Sequence, residues 1–228
     1  MIRRSLLRLI VGLVVALGSV AAASAQSAIS SDNVRQRQQG GGDKPATVEE
    51  WSRDLGNEDP LVRLKGVKML SESTDAKAVP FLVQALGDPD LRVRAKAIDA
   101  CATVRANDAT LVLVQHLFIR GTEPEMKRRI LAALGKIGDP RSVKPIMDFL
   151  ERDLDHATRG TAIFALGEVG DPEAIEFLET LEGAEPHPTL KRLAREARAK
   201  VQYMQAVKQT EAKEPLNTFL KDENEPAK

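Results

Sequence analysis

The sequence predicts an all-α chain, a right-handed α-solenoid of about five stacked helical hairpins. Three observations lead there. Residues 133–150 read ALGKIGDPRSVKPIMDFL and residues 165–181 read ALGEVGDPEAIEFLETL, one phrase written twice, 32 positions apart. A basic residue recurs at Arg63, Arg94, Lys127, Arg159 and Lys191, at intervals of 31, 33, 32 and 32, and self-similarity with a period of about 20–50 residues marks a repeat architecture. Aromatic residues make up only 4% of a chain that is 43% apolar, a composition suited to closely packed helices rather than to a β-sandwich.

Taken in order, the chain opens with a leader. Arg3, Arg4 and Arg8 precede an apolar stretch over residues 9–23, and Ala23-Ser24-Ala25 forms an A-x-A site. Together these predict a signal peptide over residues 1–25. The apolar run is short for a hydrocarbon core about 30 Å thick, so cleavage is expected and no stable membrane span remains after it. The Arg pair resembles a twin-arginine signal but has Ile2 before it, which leaves Sec and twin-arginine export both open. The full chain has 33 basic and 33 acidic side chains; removing three Arg and no acid leaves 30 against 33, a net charge of −3. Export of a small helical protein in this way points to a bacterial periplasm or exterior. Residues 26–46, with few apolar side chains and a Gly triplet, are expected to be a disordered tether.

The hairpins follow, over residues 47–205. Each first helix is expected to begin at an acid: Asp75, Asp108, Asp139 or Asp171. Asp at an N-cap accepts hydrogen bonds from free N–H groups and favours the positive helix end. Pro140 and Pro172 then suit the first helical position, and Gly138 and Gly170 suit the left-handed residue that ends the preceding helix. Each second helix is expected to start at Asp59, Asp90, Glu123 or Asp155, with His187 at the matching place in the fifth unit. Offsets of −1, +3, +7 and +10 from the basic residue trace one helical stripe, and offset +6 carries Met69, Ala100, Ala133, Ala165 and Ala197. Small side chains there let a neighbouring helix come close. Arg195 and Arg198 replace apolar residues in the last unit, as an end repeat with no further neighbour requires. Trp51 is expected to close the other end. A flexible tail is expected over residues 206–228, with Leu216, Phe219 and Leu220 spaced as a short docking helix would be.

These motifs resemble the HEAT-repeat family, in particular its short bilin-lyase-type HEAT-like repeat, which runs roughly D-P-x-x-x-V-R-x-x-A-x-x-A-L-G-x-I-G-D-P-x-A-I-P-x-L. DPDLRVRAKAIDACATV and RGTAIFALGEVGDPEAIEFL match it. Longer HEAT and armadillo units run to about 40–47 residues, so the 32-residue period departs from those. The ankyrin and tetratricopeptide signatures are absent. The resemblance implies a scaffold that binds other proteins; for some relatives it implies ligation or isomerisation of bilin chromophores, although the matched motifs are structural and transfer no active residues.

No catalytic motif is present: no G-x-S-x-G, H-E-x-x-H, P-loop or G-x-G-x-x-G. No cofactor is therefore called for, and no catalytic, cofactor-binding or metal residue is assigned. His116, His156 and His187 stand 40 and 31 residues apart, in different units, which argues against a shared metal. Cys101, alone in the chain, occupies a position filled elsewhere by Leu and is expected to be a small buried hydrophobe. The basic triplet Lys127-Arg128-Arg129 reads as a solvated face rather than a nucleic-acid site, given the charge and the export signal. Asp59, Arg63, Asp90, Arg94, Glu123, Lys127, Asp155, Arg159 and Lys191 are expected to form a structural ladder, each cation bonded to an acid of its own or the next unit. Lys65, Lys96, Asp99, Arg128, Arg129, Lys136, Phe164 and Glu168 point away from the core stripe and are the candidate partner-binding residues, with Phe164 either an exposed anchor or packed on the adjoining unit.

The functional expectation is an exported, non-enzymatic scaffold or adaptor that binds a protein or peptide along its concave face, of oligomeric state left open. The alternatives are a bilin-lyase-like enzyme and a membrane-tethered structural spacer.

Overall fold

The computed structural model describes residues 47–213. The signal peptide, the tether and the docking helix within the tail lie outside the described residues. Ten α-helices and no strand occur among the described residues. In chain order they are α1 (Val48–Asp54), α2 (Pro60–Glu72), α3 (Ala78–Ala85), α4 (Leu91–Thr103), α5 (Thr110–Phe118), α6 (Pro124–Ile137), α7 (Val143–Leu150), α8 (His156–Val169), α9 (Ala174–Ala184) and α10 (Pro188–Lys213). They pair as five hairpins, α1/α2 through α9/α10. The second helices α2, α4, α6, α8 and α10 each pack on the next, whereas the first helices meet one another less closely. The second helices thus make the tighter row of the stack, and in a curved solenoid the tighter row is the inner one, whose outward faces form the concave side.

Local chemistry starts and stops these helices. Asp59 and Asp90 accept the backbone N–H two residues on at 2.9 and 2.8 Å, and Asp155 accepts that of Thr158 at 3.0 Å. His187 Nδ1 does the same for Thr189 at 3.3 Å. Gly138 and Gly170 end α6 and α8 in the left-handed conformation, with φ of 76° and 71°, a geometry that costs a residue with a Cβ. The first helices begin later than the sequence suggests. Asp75, Asp139 and Asp171 do accept the N–H two residues on, but that bond closes only a turn. A 3-10 turn occupies Asn107–Ala109 and another Pro140–Ser142, and α3, α5, α7 and α9 follow. Asp108 lies inside its 3-10 turn rather than at a cap.

The predicted stripe is the core. Ala97, Ala162 and Ala194 at offset +3, and Leu70, Cys101, Leu134 and Leu166 at offset +7, are fully buried. Fully burying a Leu is worth about 1.5–3 kcal/mol, and the covering surface comes from the hairpin's own first helix together with the neighbouring second helix. Small residues set the spacing. A Cβ on Gly167 would stand 2.9 Å from Ala197 Cβ and 3.0 Å from its Cα; one on Gly135 would stand 3.1 Å from Ala165 Cα. At the first end Trp51 is half-buried against the core. At the last, Arg195 and Arg198 bond Glu182 on α9 at 2.7 and 2.9 Å, so the polar replacement is an ion-pair cluster within the hairpin as well as a wet face. Helix α10 runs on to Lys213, past Gln205 where the tail was expected. Gln205 Nε2 donates to the Gly170 carbonyl at 3.1 Å, and the Ala, Lys, Gln and Glu beyond it are good helix formers.

Cys101 lies fully buried, and burial pushes its thiol up to about 12. Two outcomes are expected. Gly167→Val should destabilise by about 1–3 kcal/mol in urea denaturation, because the α8–α10 contact has no room for the added carbons. Cys101 should stay inert to a disulfide reagent at pH 8 in the folded protein and react only as the chain unfolds.

Candidate binding groove

The outward positions of α4, α6 and α8 form two adjoining depressions. One, of about 490 Å³, is lined by residues that include Asp99, Ala102, Arg128, Arg129, Ala132 and Lys136. The other, of about 340 Å³, is lined by Arg105, Ala132, Gly135, Lys136, Gly138, Phe164 and Glu168. They share Ala132 and Lys136, so they read as one trough whose floor is built from small residues and whose walls carry charge.

Most of that charge is already committed. Arg129 donates to Asp99 at 2.6 Å across the α4–α6 junction. Arg128 pairs with Glu125 at 2.5 Å and reaches Asp155 at 3.6 Å. Glu168 accepts from Lys200 at 2.5 Å, and the same ammonium lies 6.0 Å from the Phe164 ring centre. Lys65 and Lys136 are exposed and Lys96 half-buried. Phe164 is 51% exposed, which makes it a presented aromatic rather than a packing one.

Sequence reasoning passed over Arg105. It is the one non-glycine residue among those described with positive φ, at 50°. Eleven residues after its unit's basic residue, it holds the position of Gly138 and Gly170 in the next two units. An L-residue in this conformation costs about 1–2 kcal/mol, and here it sets a guanidinium at the rim of the trough. The signal was legible: an Arg where the repeat asks for Gly.

The ladder differs in its acids. Arg63 forks onto Asp88 at 2.8 and 2.9 Å, not onto Asp59 or Asp90, and Arg159 bonds Glu185 at 2.9 Å. Asp90 is held instead by Arg92 at 2.8 Å, which keeps its carboxyl far below the usual range. The N-cap acids face their own helix N–H groups, so the carboxylate two residues earlier is the one left facing the preceding unit. Arg94 bonds backbone carbonyls only. Glu123 caps α6 without a side-chain bond. Lys127 is half-buried and Lys191 exposed. His156 and His187 come together, ring centres 4.0 Å apart, because their separation of 31 is one repeat and puts them on adjacent units. Among the described residues no group of three metal-binding side chains forms around them or elsewhere.

The family of HEAT repeats matches residues 49–118 and 111–199. The chain belongs to the HEAT-repeat family. No curated protein matches it. Among solved structures, an engineered protein is similar at a TM-score of 0.51 and 20% identity, over 68% of this chain and 79% of that one, a likeness of fold alone. A designed armadillo repeat protein aligns over 68% of this HEAT-repeat chain and 100% of its own, at 14% identity and a TM-score of 0.32.

The Arg63–Asp88 rung depends on pH. Hydrogen bonds from Arg63 hold the Asp88 carboxyl below the usual carboxylate range. Its stabilising contribution is therefore complete above the unfolded value of about 3.9 and disappears as pH falls through the lower folded value. Asp88→Asn should melt earlier than the parent at neutral pH, and the gap should close below about pH 4 in thermal melts.

Proposed function

We propose that this HEAT-repeat chain is an exported, non-enzymatic adaptor that holds an extended acidic peptide segment of a partner protein in the trough across α4, α6 and α8. Arg105 is the observation that carries the reading: a costly backbone conformation retained where it delivers a cation to the trough. Strain of this kind is kept where the surroundings or the function demand it. Arg105 and Lys136 form no ion pair with any described residue, whereas Asp99, Glu125 and Glu168 are neutralised by Arg129, Arg128 and Lys200. The uncommitted charge in the trough is thus positive. Phe164 adds an exposed aromatic at its edge, the type of side chain that anchors interfaces.

In this reading residues 1–25 direct export to a bacterial periplasm or exterior and are removed, residues 26–46 and the tail give reach, and nucleic acid is not the partner. No helix among the described residues is long and apolar enough to cross a membrane.

Affinity capture from envelope extract tests it, repeated with Arg105→Glu/Lys136→Glu and with Phe164→Ala. Each variant should lose about tenfold or more in affinity for the captured partner, equivalent to about 1.4 kcal/mol. Arg105→Gly should weaken capture while stabilising the fold by up to about 1 kcal/mol, since the strain is relieved. Equal recovery by the parent and the charge-reversed protein would remove the trough as the binding site.

A further inference from the structure

A second cavity, of about 520 Å³, lies between the second and third hairpins, away from the trough. Its walls include Arg94, Leu91 and Ile98 of α4, His116 of α5, the loop Ile119 to Glu123, and Met126 and Ile130 of α6.

Arg63 and Arg94 are posed alike. In each, Nη1 hooks the two carbonyls of the turn before its helix: Asn57 and Glu58 at 2.9 Å for Arg63, Asp88 and Pro89 at 2.6 and 3.2 Å for Arg94. That leaves Nε and Nη2 facing the next unit. On Arg63 both donate to the Asp88 carboxylate, and on Arg159 Nε donates to Glu185. On Arg94 neither has an acceptor among the described residues. The acid of each closed rung stands two residues before the start of its second helix, Asp88 before Asp90 and Glu185 before His187. The residue in that place here is Gly121, with φ of 85°. The loop over residues 119–123 has the same length as its counterparts over 86–90 and 151–155, so the missing acid is a change of residue type and not of loop length.

The cavity walls carry two cations, Arg94 and Arg120, and one carboxylate, Glu123. Burial, then the charge of Arg94, pushes the His116 pKa down, which leaves a neutral imidazole with one N–H to donate. Ile98 and Ile130 are buried, while Leu91 and Ile119 are about half exposed. A charged fork on one wall and branched apolar side chains on the others fit a small ligand with one anionic end.

We propose that this cavity binds a small organic carboxylate with an apolar body, its two oxygens forked on Nε and Nη2 of Arg94 as Asp88 is on Arg63. The ligand supplies the acid that the third repeat lacks and bridges the second and third hairpins. The site is independent of the peptide trough. Bidentate Arg–carboxylate bonds are stronger and more specific than single ones, and Lys cannot reproduce the fork.

The probes are acetate, 3-methylbutanoate and phenylacetate, with phenylacetamide as the neutral match, added to the full chain. Thermal melts and the Arg94 Nε–H NMR signal are the readouts. Affinity should rise from acetate to phenylacetate, raise the melting temperature and shift that signal saturably, while phenylacetamide does neither. Arg94→Gln should abolish binding, Arg94→Lys should weaken it about tenfold with the fold intact, and Arg120→Gln should keep it. Equal binding of acid and amide, undiminished binding to Arg94→Lys, or no saturation at millimolar phenylacetate would overturn the assignment. Tighter binding of a capped Leu-Glu dipeptide than of any free acid would also overturn it, by making the natural occupant a partner's side chain.

Discussion

The structure depends on the contact between one second helix and the next. Each hairpin carries an apolar stripe that its own first helix covers only in part, and the remainder is sealed when the following hairpin leans on it. At α6–α8 and α8–α10 that contact is backbone-close, Gly135 against Ala165 and Gly167 against Ala197. The tightness bends the array: where the inner helices can approach further than the outer ones, the stack must curve, and the curved inner side becomes the accessible surface. Concavity is thus a consequence of where the smallest residues fall.

Charge follows the same periodic logic, one layer out. Rungs such as Arg63–Asp88 and Arg159–Glu185 are partly buried, geometrically specific and inter-unit, so they fix how one hairpin is rotated on the next rather than adding much net stability. The ion pairs across the concave side, Arg129–Asp99 and Lys200–Glu168, are more exposed and weaker. They neutralise much of the trough and so define which cations remain for a partner.

Interest therefore gathers where the repeat is broken. Arg105 stands where the next two units have Gly, Gly121 stands where the units on either side have an acid, and Phe164 stands where the other units have Lys, Asp, Ala or Glu. Regular positions answer the needs that every unit shares. An irregular one is free of that duty, and two of these three line the trough while the other lines the cavity beside Arg94.

The sequence by itself determined the number of hairpins, the buried stripe, the caps at Asp59, Asp90 and Asp155, and the left-handed stops at Gly138 and Gly170. All of these follow from interactions within one turn of helix or from a period that every unit repeats. Only the tertiary structure decided the rest. The α-helical starts after Asp75, Asp139 and Asp171 slipped by two or three residues, because an Asp side chain that accepts the N–H two residues on closes a turn ahead of the first helical residue. Asp88 and Glu185 took the rungs expected of the N-cap acids, because a carboxylate turned towards its own helix cannot also face the neighbouring unit. His156 met His187, and Asp99 met Arg129, because residues about one period apart become neighbours only once hairpins stack. Local bonds are written in the order of residues; contacts between units depend on the angle and distance at which whole hairpins come to rest.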